Sequence, residues 1–170
     1  KGNMKVVLQG DGGDEIFGGY RRYSILKYLY FWKSLSSFSK LLPFGKYENF
    51  NRIKRISEAL SQENEANRMA WLLTMDTKRF SFKDLLTKDW QLILSKTDPF
   101  SRYRKIISEL DSFSPVQKML YCDTNILLPD IFLEKVDKST MANGIESRVP
   151  LLDNELTEYV MGLPAEYKVS

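Results

Sequence analysis

The short apolar run Met4-Lys5-Val6-Val7-Leu8 ends directly on Gln9-Gly10-Asp11-Gly12-Gly13-Asp14-Glu15, and this junction constrains the chain more than any other stretch. A β-branched run bounded by a polar, glycine-rich segment predicts a strand over Met4 to Leu8. Five of the nine glycines (Gly10, Gly12, Gly13, Gly18, Gly19) fall between residues 10 and 20. The backbone there must make close approaches or adopt positive φ. After Glu15 the apolar spacing turns helical for most of the remaining length. One strand cannot make a sheet, so its partners are expected outside this chain or on a neighbouring molecule. The expected fold is mainly α with one short N-terminal strand, an odd inventory for a complete α/β domain.

Within the helical part, Ile53, Ile56 and Leu60 share one face, and Met69, Leu72 and Leu73 make another short stripe. Asp98-Pro99 and Ser114-Pro115 read as N-cap followed by first helical residue, and Pro129 as the opening of a further helix. Asp153 is expected to cap a last helix, with Pro164 just beyond its end. The aromatic run Tyr28 to Trp32 lacks interleaved basic residues, which favours packing in a core or between domains over a base-stacking platform. Pro43 to Asn51 is the most loop-like interior stretch, but it does not divide the 170 residues into domains.

Composition then removes whole classes of chemistry. The chain has no histidine, and its only cysteine is Cys122. A Ser-His-Asp or Cys-His device is impossible within it, as are a His- or Cys-clustered zinc site and an internal disulfide. A lone thiol fits a reducing cytoplasm, the expected location. The 25 basic residues exceed the 22 acidic ones by only three. The basic groups Arg21-Arg22, Arg52 with Lys54-Arg55, and Arg102 with Arg104-Lys105 are separated by acids. They read as solvated helix faces, and no nucleic-acid partner is expected. No stretch approaches the ~20 consecutive apolar residues of a membrane span, so no membrane partner is expected either.

Two segments carry chemistry. In the first, Asp11, Asp14 and Glu15 crowd three carboxylates into a glycine turn between a strand and a helix. Amides of such a turn and a helix N-terminus suit phosphate oxygens. Carboxylates beside phosphate repel it unless a hard cation intervenes, and Mg²⁺ is the usual bridge. A surface turn with a capping acid accounts for the same spacing equally well. The alternating ligand pattern of a calcium loop is missing, and neither a Walker A loop nor a Gly-x-Gly-x-x-Gly fingerprint is present. The second segment, Glu134 to Asp153, mixes charge and apolar residues without clean amphipathic spacing. Lys138 there is a candidate cation for pyrophosphate, with a solvent-facing lysine as the plainer alternative. Glu146 and Arg148 read as a structural ion pair holding the turn before Pro150.

Taken together, Gly10-Asp11-Gly12-Gly13-Asp14-Glu15-Ile16-Phe17-Gly18-Gly19-Tyr20, Lys135-Val136-Asp137-Lys138 with Met141-Ala142, and Glu146-Ser147-Arg148-Val149-Pro150-Leu151-Leu152-Asp153 resemble the synthetase domain of glutamine-dependent asparagine synthetases. The resemblance implies that this fragment is part of an α/β adenine nucleotide alpha hydrolase-like (ATP-pyrophosphatase) domain. The implied reaction is adenylation of the aspartate side-chain carboxylate by ATP, followed by ammonia transfer. By position in the motifs, Gln9, Gly10 and Gly12 would contact the nucleotide. Asp11 and Lys138 would be catalytic, Lys138 by stabilising pyrophosphate. Asp14 would bind Mg²⁺, with Glu15 assisting nearby. The implied partners are aspartate or a related carboxylate, ATP, ammonia from a glutaminase domain, and a second copy of the chain in a homodimer.

Three departures qualify the match. Gln9 stands where the family usually has serine, and Leu151 where it commonly has phenylalanine. The Ser-Gly-Gly-x-Asp-Ser pyrophosphate loop is absent. Residues 1–170 are therefore expected to be a partial domain that is inactive alone, without the upstream loop, the glutaminase domain and the last C-terminal helices. Two alternatives remain: a non-catalytic nucleotide-binding or interaction module of the same fold, and an amidotransferase acting on another carboxylate such as a sugar acid. Relatives that close β-lactam rings tend to carry tyrosine where Asp11 stands, which favours the amidating kind.

Overall fold

A computed structural model of the chain describes residues 4–32, 34, 56–73, 85–98 and 100–169. In chain order its elements are β1 (Val6–Leu8), α1 (Gly13–Phe17), α2 (Arg21–Lys27), α3 (Glu65–Leu73), α4 (Lys88–Ser95), α5 (Ser101–Ser108) and α6 (Pro115–Cys122). A π-wound segment (Asp123–Leu133), α7 (Glu134–Met141), β2 (Glu146–Arg148), a 3₁₀ turn (Pro150–Leu152), α8 (Asn154–Gly162) and a second 3₁₀ turn (Ala165–Tyr167) follow. The elements fall into two units, one of Lys1–Lys27 with Ser112–Ser170 and one of Tyr28–Asp111.

In the first unit β1 does find a partner within the chain. It pairs in parallel with β2, in the register Val6–Glu146, Val7–Ser147 and Leu8–Arg148. The Glu146 amide donates to the Lys5 carbonyl (2.8 Å) and the Gln9 amide to the Arg148 carbonyl (3.0 Å), extending the ladder at both ends. This corrects the expectation of an external partner. Glu146-Ser147-Arg148 has neither alternation nor β-branching, so nothing local marks it as a strand. A parallel pair also needs a long crossover, which separates the two strands widely in sequence. The predicted strand shortens as well, since Met4 and Lys5 lie before β1.

Helix α2 packs on α6. Their contact is apolar because Tyr23 and Leu26 on one side and Val116, Met119, Leu120 and Cys122 on the other are buried. The Ser114-Pro115 start is a full capping box: the Ser114 hydroxyl accepts the Gln117 amide (3.3 Å), and the Gln117 side-chain oxygen accepts the Ser114 amide (3.2 Å). From α6 the helix runs through the π-wound segment into α7, with helical backbone at both junctions. Pro129 therefore lies inside a helix and does not open one. In an α-helix its ring would strike the carbonyl four residues back. The wider winding, seen in the Glu134 amide bonding to the Pro129 carbonyl, accommodates it. Side chains take up carbonyls along this stretch: Thr124 Oγ1 donates to Leu120 and Asn125 Nδ2 to Tyr121, each at 2.8 Å. Asp153 caps α8 as expected, accepting the Leu156 amide (3.2 Å), and Pro164 lies just past its end.

In the second unit α3 packs on α5. Ala66, Met69 and Ala70 of α3 are buried, as is Ile107 of α5. Met69 fits the predicted stripe, while Leu72 and Leu73 are half-buried. Leu60 is buried and Ile56 half-buried in the helical turn 56–60; Ile53 lies outside the described residues, as do Pro43 to Asn51, Arg52, Lys54, Arg55 and Pro99. Helix α5 begins at Ser101 with Phe100 as its N-cap, which corrects the expected start at Asp98; the Asp98 carboxylate accepts the Phe100 amide (3.0 Å) instead. The aromatic run is not a core: Tyr28, Tyr30 and Phe31 are exposed and Leu29 alone is buried among residues 28–31. Successive helical residues point about 100° apart, so a contiguous run cannot all face inward. Among the described residues no helix is long and apolar enough to cross a membrane.

Candidate functional site

The parallel β1–β2 ladder joins the two segments that carry chemistry. Both strands end on the same side of the pair, and the Gln9–Gly12 turn emerges there beside the Pro150–Leu152 turn. Crevices at the carboxyl ends of parallel strands are where α/β folds collect ligands. Gly12 is buried with φ 87°, and a side chain there would overlap Leu152 Cδ2 and Cγ. A Cβ on Gly13 would stand 3.0 Å from Leu151 Cδ1. Leu151 and Leu152 are thus the floor of the glycine turn, a role that local sequence does not mark. Gly10, by contrast, is exposed, and nothing lies within 4 Å of where its Cβ would be. At the far end of α1, Gly18 takes φ 78° and its amide returns to the Asp14 carbonyl (3.0 Å).

The predicted site residues occupy different environments. Gln9 is half-buried and engaged in the ladder through its amide. Asp11 is half-buried, and its Oδ2 is buried without a hydrogen-bond partner. Asp14 is exposed, with its carboxylate folded into the space that the missing Cβ of Gly19 leaves. Glu15 is buried and accepts the Tyr20 hydroxyl at 2.5 Å. Lys138 is exposed on α7, which packs on β2; its ammonium pairs with Glu134 at 2.5 Å, and that bond raises its pKa. Arg148 bonds Glu146 at 2.7 Å before Pro150, as expected, with both side chains more than half exposed. Among the described residues no three acidic or thiol side chains gather as a metal cage. The donor set nevertheless fits Mg²⁺, which needs only one or two carboxylates beside phosphate and water oxygens. The exposed Asp14 carboxylate and the orphaned Asp11 Oδ2 are such hard donors.

A second polar cluster lies behind α1. Asp123, 0% exposed at the start of the π-wound segment, accepts three hydrogen bonds on Oδ2: from Arg22 Nε (3.0 Å), Arg22 Nη2 (2.8 Å) and the Tyr23 hydroxyl (2.6 Å). Its Oδ1 is buried and unpartnered. The Arg22 guanidinium also lies 3.8 Å from the centre of the Tyr20 ring, whose hydroxyl is the one on Glu15. Burial pushes the Asp123 carboxyl above its ordinary value, opposed by Arg22 and by the Tyr23 hydrogen bond. Burial also raises Tyr23 and Tyr20, reinforced by Asp123 and Glu15 respectively. Arg22 is therefore no solvated face, unlike its exposed neighbour Arg21. The available signal was a lone acid between Met119-Leu120-Tyr121-Cys122 and Ile126-Leu127-Leu128, since a charge in an apolar helical run needs a buried partner.

The family model described as asparagine synthase matches residues 1–170. The chain belongs to the asparagine synthase family. A Mycobacterium tuberculosis protein named "Putative asparagine synthetase (glutamine-hydrolyzing)" is 32% identical over 182 aligned positions, covering 99% of this chain and 25% of its own length. Asparagine synthetase (glutamine-hydrolyzing) 1 of Bacillus subtilis is 31% identical, covering 99% of this chain and 26% of its own. Amidase chry2 of Gibberella zeae is 26% identical, with 98% and 26% covered. The chain thus spans about a quarter of the length of these curated relatives. No solved structure matches it. The mostly helical architecture with one short parallel strand pair is compatible with a fragment of an asparagine synthase domain.

Proposed function

We propose that this chain is the middle part of an ATP-dependent amidoligase, an adenine nucleotide alpha hydrolase-like domain that makes asparagine from aspartate. The observation that carries the reading is the β1–β2 ladder, which sets the Asp11-bearing glycine turn beside the segment following β2. In the first step an aspartate β-carboxylate oxygen attacks the α-phosphorus of ATP. The bond to pyrophosphate breaks and β-aspartyl-AMP forms. In the second, ammonia attacks the acyl carbon, AMP leaves, and the amide nitrogen loses a proton to solvent.

Each residue has a task in that scheme. The turn from Gly10 to Gly12 presents backbone amides to the nucleotide and Gln9 its side chain, while the absence of a side chain on the exposed Gly10 lets the nucleotide approach. Asp11, with an oxygen free of internal bonds, supports acyl-adenylate formation or the ammonia step. Lys138 leaves Glu134 to stabilise pyrophosphate, an exchange that costs little because the pair is exposed. Asp14 would hold Mg²⁺, with Glu15 assisting from its place on Tyr20. The bound cation would neutralise charge on the phosphates. The nitrogen source is a glutaminase domain elsewhere in a longer protein, and the partner is a second copy.

The test is AMP and pyrophosphate release from ATP and aspartate by the intact synthetase. Asp11→Asn and Lys138→Ala should each lower it by about 10²-fold or more, the range for removing one transition-state contact. Unchanged release in both would return the chain to a non-catalytic nucleotide-binding module. Pyrophosphate release by the 170-residue chain alone, at the rate of the intact protein, would overturn its being a part. A second reading, amidation of a different carboxylate, rests on the departures of this chain from the family pattern, Gln9 for serine among them. Product formation from a panel of sugar acids separates the two.

A further inference from the structure

We propose that Asp123 is a positioning residue for the site, acting on Glu15 through Arg22 and Tyr20. The inference rests on the proposed adenylating site and adds the device that holds it. Asp123 is fully buried, and three donors converge on a single oxygen, Oδ2. Two of them come from Arg22 as a forked pair, which fixes the plane of the guanidinium as a single contact could not. That plane faces the Tyr20 ring at 3.8 Å. The Tyr20 hydroxyl, so placed, donates to Glu15 Oε1 at 2.5 Å. Glu15 lies one residue after Asp14 on α1, a helix of only five residues with no side-chain cap of its own. Such a short helix has little intrinsic persistence, so the orientation of its carboxylates needs an external brace. Asp123, rooted in the long helical run from α6, is that brace. Asp123 itself is fully buried and acts only through these contacts.

The experiment uses the intact synthetase with Tyr20→Phe, Asp123→Asn and their double variant. Binding of Mn²⁺ in the presence of ATP is followed by electron paramagnetic resonance, beside the KM for ATP and kcat. Tyr20→Phe keeps the ring under Arg22 and removes only the hydroxyl. It should weaken Mn²⁺ by about 10-fold, as loss of an outer-shell partner does. The KM for aspartate should stay within about twofold, with an unchanged unfolding midpoint. The double variant should be no weaker than the weaker single one, because both break one chain of contacts. Conservative Arg22→Lys, which keeps the charge but loses the fork, should resemble Asp123→Asn. If Asp123→Asn does not fold, Tyr20→Phe paired with Arg22→Lys decides the same question. Unchanged Mn²⁺ affinity in folded Tyr20→Phe, or independent losses that add in the double variant, would overturn the proposal. If the wild type binds no Mn²⁺–ATP, the adenylating reading fails instead. Amide exchange over residues 10–17 then still reports on the brace: faster in Asp123→Asn if it exists, unchanged if it does not.

Discussion

At Gly12 one residue has to satisfy two demands, a φ of 87° and contact with Leu152 where a Cβ would be. Gly12→Ala should cost about 2–4 kcal/mol, combining left-handed strain with overpacking; chemical denaturation measures it. Adding Leu152→Ala should relieve the overlap but leave about 1–2 kcal/mol of backbone strain. Gly10→Ala, in open space, should change stability by less than about 0.5 kcal/mol. The contrast is one that sequence could not supply. The glycine cluster announced that unusual backbone was needed somewhere between residues 10 and 20, but not which glycine carried it. The same holds for the carboxylates. Asp11, Asp14 and Glu15 are legible as a group, whereas sequence does not show that Asp14 folds against Gly19 and that Glu15 is buried under the Tyr20 hydroxyl. Asp123 was passed over because its partners, Arg22 and Tyr23, lie about a hundred residues away.

Among the elements, the helix starts at Ser114 and Asp153 are legible because capping is a local matter, whereas Asp98 precedes its helix by three residues. Ser114, Pro115 and Gln117 form a complete capping box, and Ser114→Ala should cost about 1 kcal/mol in an unfolding titration. At the start of α5 the Asp98 carboxyl is held below its ordinary value, first by the hydrogen bonds from Arg104. The stabilisation this gives is fully present above the ordinary carboxylate pKa and is lost as pH falls through the lowered one. Carbon-13 titration of Asp98 should show the depressed value, and Arg104→Ala should return it to the ordinary range. Pro129 and β2 escape local reading for opposite reasons. A proline usually marks a boundary, but π winding absorbs this one. Glu146-Ser147-Arg148 lacks any strand signature and becomes a strand only because β1 is there to pair with it.

At the scale of the whole molecule, a parallel pairing between Val6–Leu8 and Glu146–Arg148 brings together segments about 140 residues apart. Glu146→Pro removes the amide that bonds the Lys5 carbonyl. It should destabilise the chain by about 1–3 kcal/mol, read by denaturant titration, and reduce activity of the intact protein together with nucleotide binding. The two motifs bracketing the chain are visible in sequence, and the ladder explains how segments so far apart come to lie side by side. Isotope transfer tests the proposed adenylation most directly: aspartate labelled with ¹⁸O in its β-carboxylate, turned over by the intact protein with ATP and ammonia. Attack of the carboxylate on the α-phosphorus predicts AMP carrying one labelled oxygen. Unlabelled AMP, or label in inorganic phosphate with ADP as the nucleotide product, would contradict it.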